Sequence, residues 1–303
     1  MWPFKNLQLY RLPSPWAIDK DSLTEKLKGG QFSRCKSNQP MSRGWVPALE
    51  HGDLVHSVAG HWLLCLKVEK RLLPASVVNE EVAERAATIE EQQGYAPGRK
   101  QLKDLRERVT EELLPRAFTR SRRTFVWMDP ANSWFGINAS SAAKAEEVIE
   151  HLRHCLDEFP LRPLRTKVSP QLAISAWLLD GEGPAGFTID RDCELKSAGE
   201  EKATVRYVRH PLGDEVGDEI KAHLAVGKLP TRLALTWDDR ISFVLNEKME
   251  IKRIVFLDLI KEGGEQSAET ADEQFDADFV MMTGEFGRFL PMLLEALGGE
   301  EAC

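Results

Sequence analysis

Asp276 and Asp278, one residue apart in Phe275-Asp276-Ala277-Asp278-Phe279, are the pair best suited to hold a divalent cation for phosphodiester cleavage. Their place near a helix start favours another use, as capping carboxylates stabilised by the helix dipole. His151 and Cys155 stand one helical turn apart, which is half of a zinc site. No second Cys/His pair lies at a matching spacing, so packing or solvation accounts for them better. Gly181-Glu182-Gly183-Pro184-Ala185-Gly186 fits the bare Gly-x-Gly-x-x-Gly pattern. A dinucleotide site needs that pattern between a strand and a helix N-terminus. Here a helix precedes it and Pro184 removes an amide, so it reads as a turn. No Gly-x-x-x-x-Gly-Lys-Ser/Thr run occurs, which leaves ATP hydrolysis without an apparatus. His51, His56 and His61 recur every five residues, a period of neither helix nor strand. No cofactor and no metal site are expected. A metal-dependent nuclease using Asp276 and Asp278 is the alternative reading.

The strongest local signal is cationic. Arg116-Ala117-Phe118-Thr119-Arg120-Ser121-Arg122-Arg123 holds four arginines in eight residues and no acid. Guanidinium groups fork onto phosphate oxygens and keep their charge near neutral pH. The Thr119 and Ser121 hydroxyls add uncharged phosphate partners. The competing reading is a solvated loop whose arginines pair with Glu111, Glu112 or the acidic C-terminal stretch. Further basic groups are Arg162, Arg165 and Lys167; Arg206, Arg209 and His210; Lys228 and Arg232; Lys252 and Arg253. Each of these alone reads as a solvated face. No helix-turn-helix, zinc finger, basic zipper or RNP signature offers a way to read bases.

Bulk charge does not decide the matter. The chain carries −8 at pH 7, but Asp258–Cys303 alone carries −10, which leaves +2 on residues 1–257. Arg99–Arg123 carries +5. Fields at a surface are local over about 8–10 Å in physiological salt, so a basic patch works on an acidic protein. Five scattered cysteines, none in a Cys-x-x-Cys pair, argue against a disulfide framework and a tetra-cysteine zinc site. No apolar run approaches the ~18 residues of a membrane span. Met1-Trp2-Pro3-Phe4-Lys5 has none of the features of a secretory leader. A cytoplasmic location is expected.

The periodicities that must position these groups predict an α+β fold with mixed or antiparallel sheets. Strands are predicted over 4–12, 62–66, 124–128, 134–137, 203–209, 231–237, 240–246 and 251–257. Helices are predicted over 22–28, 141–156, 170–180, 214–226 and 273–297. Gly44-Trp45-Val46-Pro47 reads as a turn-rich stretch and Gly263-Gly264 as a loop. Val78, Val82, Ala86 and Ile89 form one stripe, and Leu102, Leu105, Val109 and Leu113 another. Between them lies the breaker Gly94-Tyr95-Ala96-Pro97-Gly98, which predicts an inserted helical hairpin. The expected division is a first unit of residues 1–74 plus 115–160, a hairpin of 75–114, and a second unit of 161–303 ending in an acidic helical tail. A protein-interaction module acting through the hairpin is a third functional reading.

Taken together, several motifs resemble the recombination-associated protein RdgC family. They are Phe4-Lys5-Asn6-Leu7, Tyr10-Arg11-Leu12, Gly44-Trp45-Val46-Pro47, Leu114-Pro115-Arg116-Ala117-Phe118-Thr119-Arg120, Ala225-Val226-Gly227-Lys228, Leu233-Ala234-Leu235-Thr236-Trp237, Phe275-Asp276-Ala277-Asp278-Phe279, Met282-Thr283-Gly284-Glu285 and Leu297-Gly298-Gly299-Glu300. The likeness is collinear over the whole length. It implies a non-enzymatic, ring-shaped homodimer whose basic hole admits duplex DNA without sequence preference. It also implies restraint of the RecA recombinase in the cytoplasm, in association with the nucleoid. The acidic tail would face outward. The candidate DNA-binding residues are Arg116, Arg120, Arg122, Arg123, Arg209, His210, Lys228 and Arg232, of which the resemblance itself points to Arg209-His210, at the family's basic-polar pair. Ser121 departs from the family, which often has an aromatic there, and segment 75–114 diverges.

Overall fold

A computed structural model describes residues 4–13, 16–197, 199, 203–212, 214–257 and 270–301. In chain order its elements are β1 (Asn6–Arg11), α1 (Lys20–Lys28), β2 (Met41–Val46), β3 (His56–Val58), β4 (His61–Leu72), α2 (Ala75–Gln93), α3 (Arg99–Leu113), β5 (Phe118–Asp129), β6 (Trp134–Ile137), α4 (Ala142–Cys155), β7 (Arg162–Pro163), α5 (Pro170–Asp180), β8 (Phe187–Ser197), β9 (Thr204–Tyr207), α6 (Asp214–Ala225), β10 (Lys228–Trp237), β11 (Ile241–Asn246), β12 (Ile251–Phe256) and α7 (Ala271–Ala296). The loop expected at Gly263-Gly264 lies outside the described residues.

The fold is mixed α+β. Its strands form one antiparallel sheet in the order β2-β4-β5-β6-β1-β12-β11-β10-β8-β9, with β3 added to β4 and β7 to β1. β1 is the seam. Gln8–Arg11 pair with β6, while Asn6 and Leu7 pair with Lys252 and Ile251 of β12. Where β1 changes partner, the Asn138 side-chain oxygen accepts the amides of Lys5 and Asn6.

Strand alternation sends apolar residues to both faces of the first half, and each face has its own cover. Trp45, Leu64, Leu66, Val126 and Met128 pack with α1 and α4 residues such as Leu23, Leu27, Val148 and Leu152. The opposite face contributes Leu63, Cys65 and Trp127 to a core shared with the second half and with α7. Burial of this kind contributes about 1.5–3 kcal/mol per large side chain. α2 and α3 form a third cluster of their own around Val78, Val82, Leu105 and Val109, so the two predicted stripes face each other. Gly94, at φ 80°, ends α2.

Three local expectations change. Gly44-Trp45-Val46 is strand, not turn. Gly44 is needed there because residues 31–32 cross β2, and a Cβ would lie 2.4 Å from the Phe32 backbone. β8 falls where no strand is expected. Asp276 and Asp278 sit inside α7 rather than at its cap, which is a box formed by Thr270 and Glu273.

β8 carries a buried carboxylate. Glu194 accepts from the Thr231 hydroxyl at 2.8 Å and from Arg206 Nε at 2.8 Å, and it pairs with Arg232 and Lys196 at 3.2 and 3.3 Å. Burial opposes its charge, but the Thr231 hydroxyl, Arg206, Arg232 and Lys196 outweigh that and bring its pKa from 4.5 to about 2.

Two stability measurements test these points. Gly44→Ala is expected to cost about 1–3 kcal/mol in urea unfolding, because backbone has to move to admit the methyl group. The lowered Glu194 pKa supplies stability that is complete above pH about 4.5 and is lost as pH falls toward about 2. The advantage of wild type over Glu194→Gln should therefore be constant from pH 7 to 5 and shrink below that. An advantage that persists unchanged to pH 2 would refute the assignment.

Candidate nucleic-acid interface

The arginine run lies on a strand. β5 begins at Phe118, and its outer half, through Arg123, is exposed. Strand pleating divides the run: Arg120 and Arg122 project to the face covered by α1 and α4, and Arg123 projects to the other. β5 pairs with β4 along its whole length, placing Lys70 directly opposite Arg120 and Lys67 directly opposite Arg123. Like charges facing across a ladder are unfavourable. Lys67, Lys70, Arg116, Arg120 and Arg123 form no ion pair with any described carboxylate. Lys67 rests 4.6 Å from the Phe32 ring centroid, and Arg123 donates to the Pro47 carbonyl at 3.4 Å.

Arg122 behaves differently. It pairs with Glu147 of α4 at 2.5 Å, and neighbouring Arg43 pairs with Glu150 at 3.1 Å. In place of a loop, residues 118–123 form strand and Arg122 finds its partner on α4, while Glu112, held chiefly by Arg85, also has its pKa lowered by Arg116. Arg116 stands in a 3-10 turn, Leu114–Arg116, between α3 and β5. That turn is held by Arg71, whose Nη1 donates to the carbonyls of Leu114, Pro115 and Ala117, each at 3.2 Å. Sequence reasoning missed Arg71. Its basic type was visible, but the register that brings it to Thr119 was not.

The other expected residues gather in the second half of the sheet. Arg209 has φ 54°, and its amide donates to Asp192 at 2.8 Å. The His210 amide donates to the Arg191 carbonyl at 3.1 Å. Both side chains are exposed in the β9–α6 connection. Lys228 Nζ lies 3.0 Å from His223 Nδ1, and Arg232 belongs to the Glu194 group. From β5 to β10 there are five strand spacings, about 24 Å at ~4.8 Å each. One chain thus presents two basic groups that do not touch.

The remaining candidates have structural partners. His56 Nε2 lies 2.7 Å from Asp276 Oδ1, tying β3 to α7, and Gln274 donates to Asp278 at 2.9 Å. Residues two apart on a helix do not face one another, so the two aspartates do not converge. Among the described residues, no three His, Cys, Asp or Glu side chains gather closely enough to share a metal ion. His151 contacts the Gly30 carbonyl at 3.2 Å and packs on Trp45, in line with a packing role. Gly181 caps α5 at φ 79°, and the segment to Gly186 runs from helix to strand, opposite to a dinucleotide loop. Cys65 and Cys193 are buried, and burial pushes their thiols up to about 11 and about 12. No described helix is long and apolar enough to cross a membrane.

At the tip of the same β4–β5 ribbon, Phe118 and Leu72 face one another and stay 85% and 48% exposed. Ser121 is exposed opposite Glu69.

The family model described as "Putative exonuclease, RdgC" matches residues 1–300. The Recombination-associated protein RdgC of Dechloromonas aromatica is 72% identical over 300 residues, covering 99% of this chain and 98% of the relative. The proteins of that name from Herminiimonas arsenicoxydans and Janthinobacterium sp. are 51% and 50% identical. Their alignments cover 100% and 99% of this chain, and 99% of each relative. With the family model matching residues 1–300 and a relative 72% identical over 99% of the chain, the chain belongs to the RdgC family of recombination-associated proteins.

Proposed function

We propose that this protein binds duplex DNA without reading its sequence, acts as a ring-shaped homodimer, and carries out no chemistry on the strand. The observation that carries the reading is the pair of like-charge contacts, Lys70 opposite Arg120 and Lys67 opposite Arg123, on a ribbon where none of these four cations forms an ion pair with a described carboxylate and the one acid between them, Glu69, accepts from the Cys35 amide. A polyanion removes that repulsion. Phosphates serve as the partner because guanidinium and ammonium groups recognise them through charge and forked donation, and such contacts carry no base information.

The distance between the two basic groups supports a second copy, which would bring both onto a common channel. Phe118 and Leu72, exposed at the ribbon's end, are suited to contact between copies. In this reading the ring restrains the RecA recombinase by occupying the DNA it needs, in the cytoplasm and at the nucleoid. The partners are duplex DNA, a second copy and, through the DNA, the recombinase.

The family model's exonuclease description finds no support in Asp276 and Asp278, which are committed to His56 and Gln274. Incubating purified protein with linear and supercoiled plasmid and Mg²⁺ should leave both intact. Shortening or nicking that follows the protein through purification and disappears in Asp276→Asn would establish the enzymatic reading instead.

The decisive binding experiment is duplex affinity against salt for a sample of known mass in solution. Arg116→Ala with Arg120→Ala should weaken binding to all duplexes alike. It should also lower the salt slope by about 0.9 log unit for each phosphate no longer neutralised, while unfolding stability stays within ~0.5 kcal/mol. Unchanged affinity and slope would remove the ribbon from the interface.

A further inference from the structure

The face of the second half-sheet opposite α7 holds a cavity of about 520 Å³, walled on one side by β8, β10, β11 and β12 and on the other by the start of α4. Its lining carries the cations Lys196, Arg232, Lys248, Lys252 and Arg253 against the carboxylates Glu194, Glu247 and Glu250, and Arg253 also pairs with Asp192 at 3.1 Å. Glu194 organises much of that lining. Its carboxylate, only 7% exposed, holds Arg206, Arg232 and Lys196 at 2.6, 3.2 and 3.3 Å. Three cations on one carboxylate leave about +2 on that group, of which Arg232 and Lys196 line the cavity, and the Nη1 groups of Arg206 and Arg232 make no hydrogen bond to a described residue. Glu250 fixes Lys252 in the same way at 2.6 Å. Across the cavity, Ala142 and Ala143 open α4, a 14-residue helix whose N-cap, Ser141, makes no side-chain bond to it. First-turn amides lack intrahelical partners, and they add positive potential to a site the cations already define.

We propose that this cavity is a seat for one phosphodiester group of the DNA backbone, and that Glu194 is its positioning residue, holding Arg206, Arg232 and Lys196 in place. The inference rests on the DNA-binding reading and deepens it, adding a contact point three to six strand spacings from β5, about 14–29 Å of sheet. The arrangement has a physical rationale. A long cationic side chain loses rotamer freedom when it binds phosphate, and a carboxylate that already orders it removes that cost from the binding step.

Glu194→Gln separates positioning from mere charge. Removing an acid from a surface that attracts a polyanion should tighten binding if Glu194 only adds negative potential. If it positions the cations, the neutral variant binds duplex about fivefold more weakly at physiological salt, with a salt slope about 0.9 lower for each seat that no longer holds its phosphate. Its folding is checked by thermal unfolding at pH 7. Tighter or unchanged binding would overturn the proposal while leaving the wider DNA-binding reading intact.

A second measurement does not depend on DNA. Inorganic phosphate, titrated against chloride at equal ionic strength, should shift the backbone amide resonances of Ala142 and Ala143 in the wild type and leave them unmoved in Arg232→Gln. A nucleoside triphosphate in a parallel titration distinguishes a seat for free phosphate compounds, which it would saturate at micromolar concentration, from one that needs a polynucleotide. Saturation by the triphosphate would overturn the backbone assignment. Shifts spread evenly over surface lysines, or none at all, would overturn the seat. Shifts confined to the seat in a protein that fails to bind duplex would keep the seat and discard the DNA-binding reading.

Discussion

β1 is the only described strand bonded to both halves of the sheet, and it joins the second half through two residue pairs, with one further backbone bond from the Ile254 amide to the Lys5 carbonyl at 2.9 Å. So narrow a seam needs a cover, and α7 supplies it. The Phe286 ring lies 5.4 Å from Trp127 of the first half, 5.8 Å from Phe256 of the second and 6.3 Å from Phe4 just before the seam. Aromatic contacts of this kind contribute roughly 0.5–1.5 kcal/mol each beyond burial. Next to Phe286 on α7, buried Glu285 takes a two-pronged contact from Arg240 at 2.7 and 2.8 Å, tying the helix to the β10–β11 turn. After it, Gly298 and Gly299 turn at φ 78° and 90°, and Glu300 reaches Arg11 at the end of β1 at 2.6 Å. The relative placement of the two basic groups depends on this closure of the C-terminal segment over the first strand.

That closure also explains how an acidic protein keeps basic surfaces. The C-terminal stretch looks, as sequence, like a solvated acidic tail facing outward. In the structure its described carboxylates are largely occupied within the protein. Glu273 caps α7, Asp276 meets His56, Asp278 accepts from Gln274, Glu285 is clamped by arginine and Glu300 holds Arg11. Net charge counts these acids in full, whereas the field felt by an approaching polyanion is set by charges within a Debye length that lack an internal partner.

The legible part of the fold was the part with local causes. The α2 and α3 stripes and the glycine-proline breaker between them need no distant contact to be recognised, and the same holds for the Leu23–Leu27 turn of α1. β8 was not legible, because Asp190, Asp192 and Glu194 make it look like a polar connection. Their partners are Thr236, Arg253 and Arg232, about forty to sixty positions away, and only tertiary structure joins them. Gly44 misled for a related reason: a glycine demanded by a crossing chain is indistinguishable, in sequence, from a glycine demanded by a turn. The arginine run was visible as composition, yet its division between two faces and the capture of Arg122 by Glu147 follow from strand register and the position of α4.

The two basic groups hold their charges by opposite means, and the difference bears on how each would act. On the β4–β5 ribbon, lysine and arginine face each other with only backbone pairing to keep them together. The repulsion costs roughly 0.2–1 kcal/mol per pair, which the cores beneath absorb easily. Such charges attract phosphate strongly and hold it loosely. Around Glu194 the cations are fixed by a carboxylate that cancels a third of their charge but sets their direction. Long-range attraction belongs to the first group and defined placement to the second. Under the proposed DNA-binding reading, the two kinds of group would complement each other, since neither depends on the identity of a base.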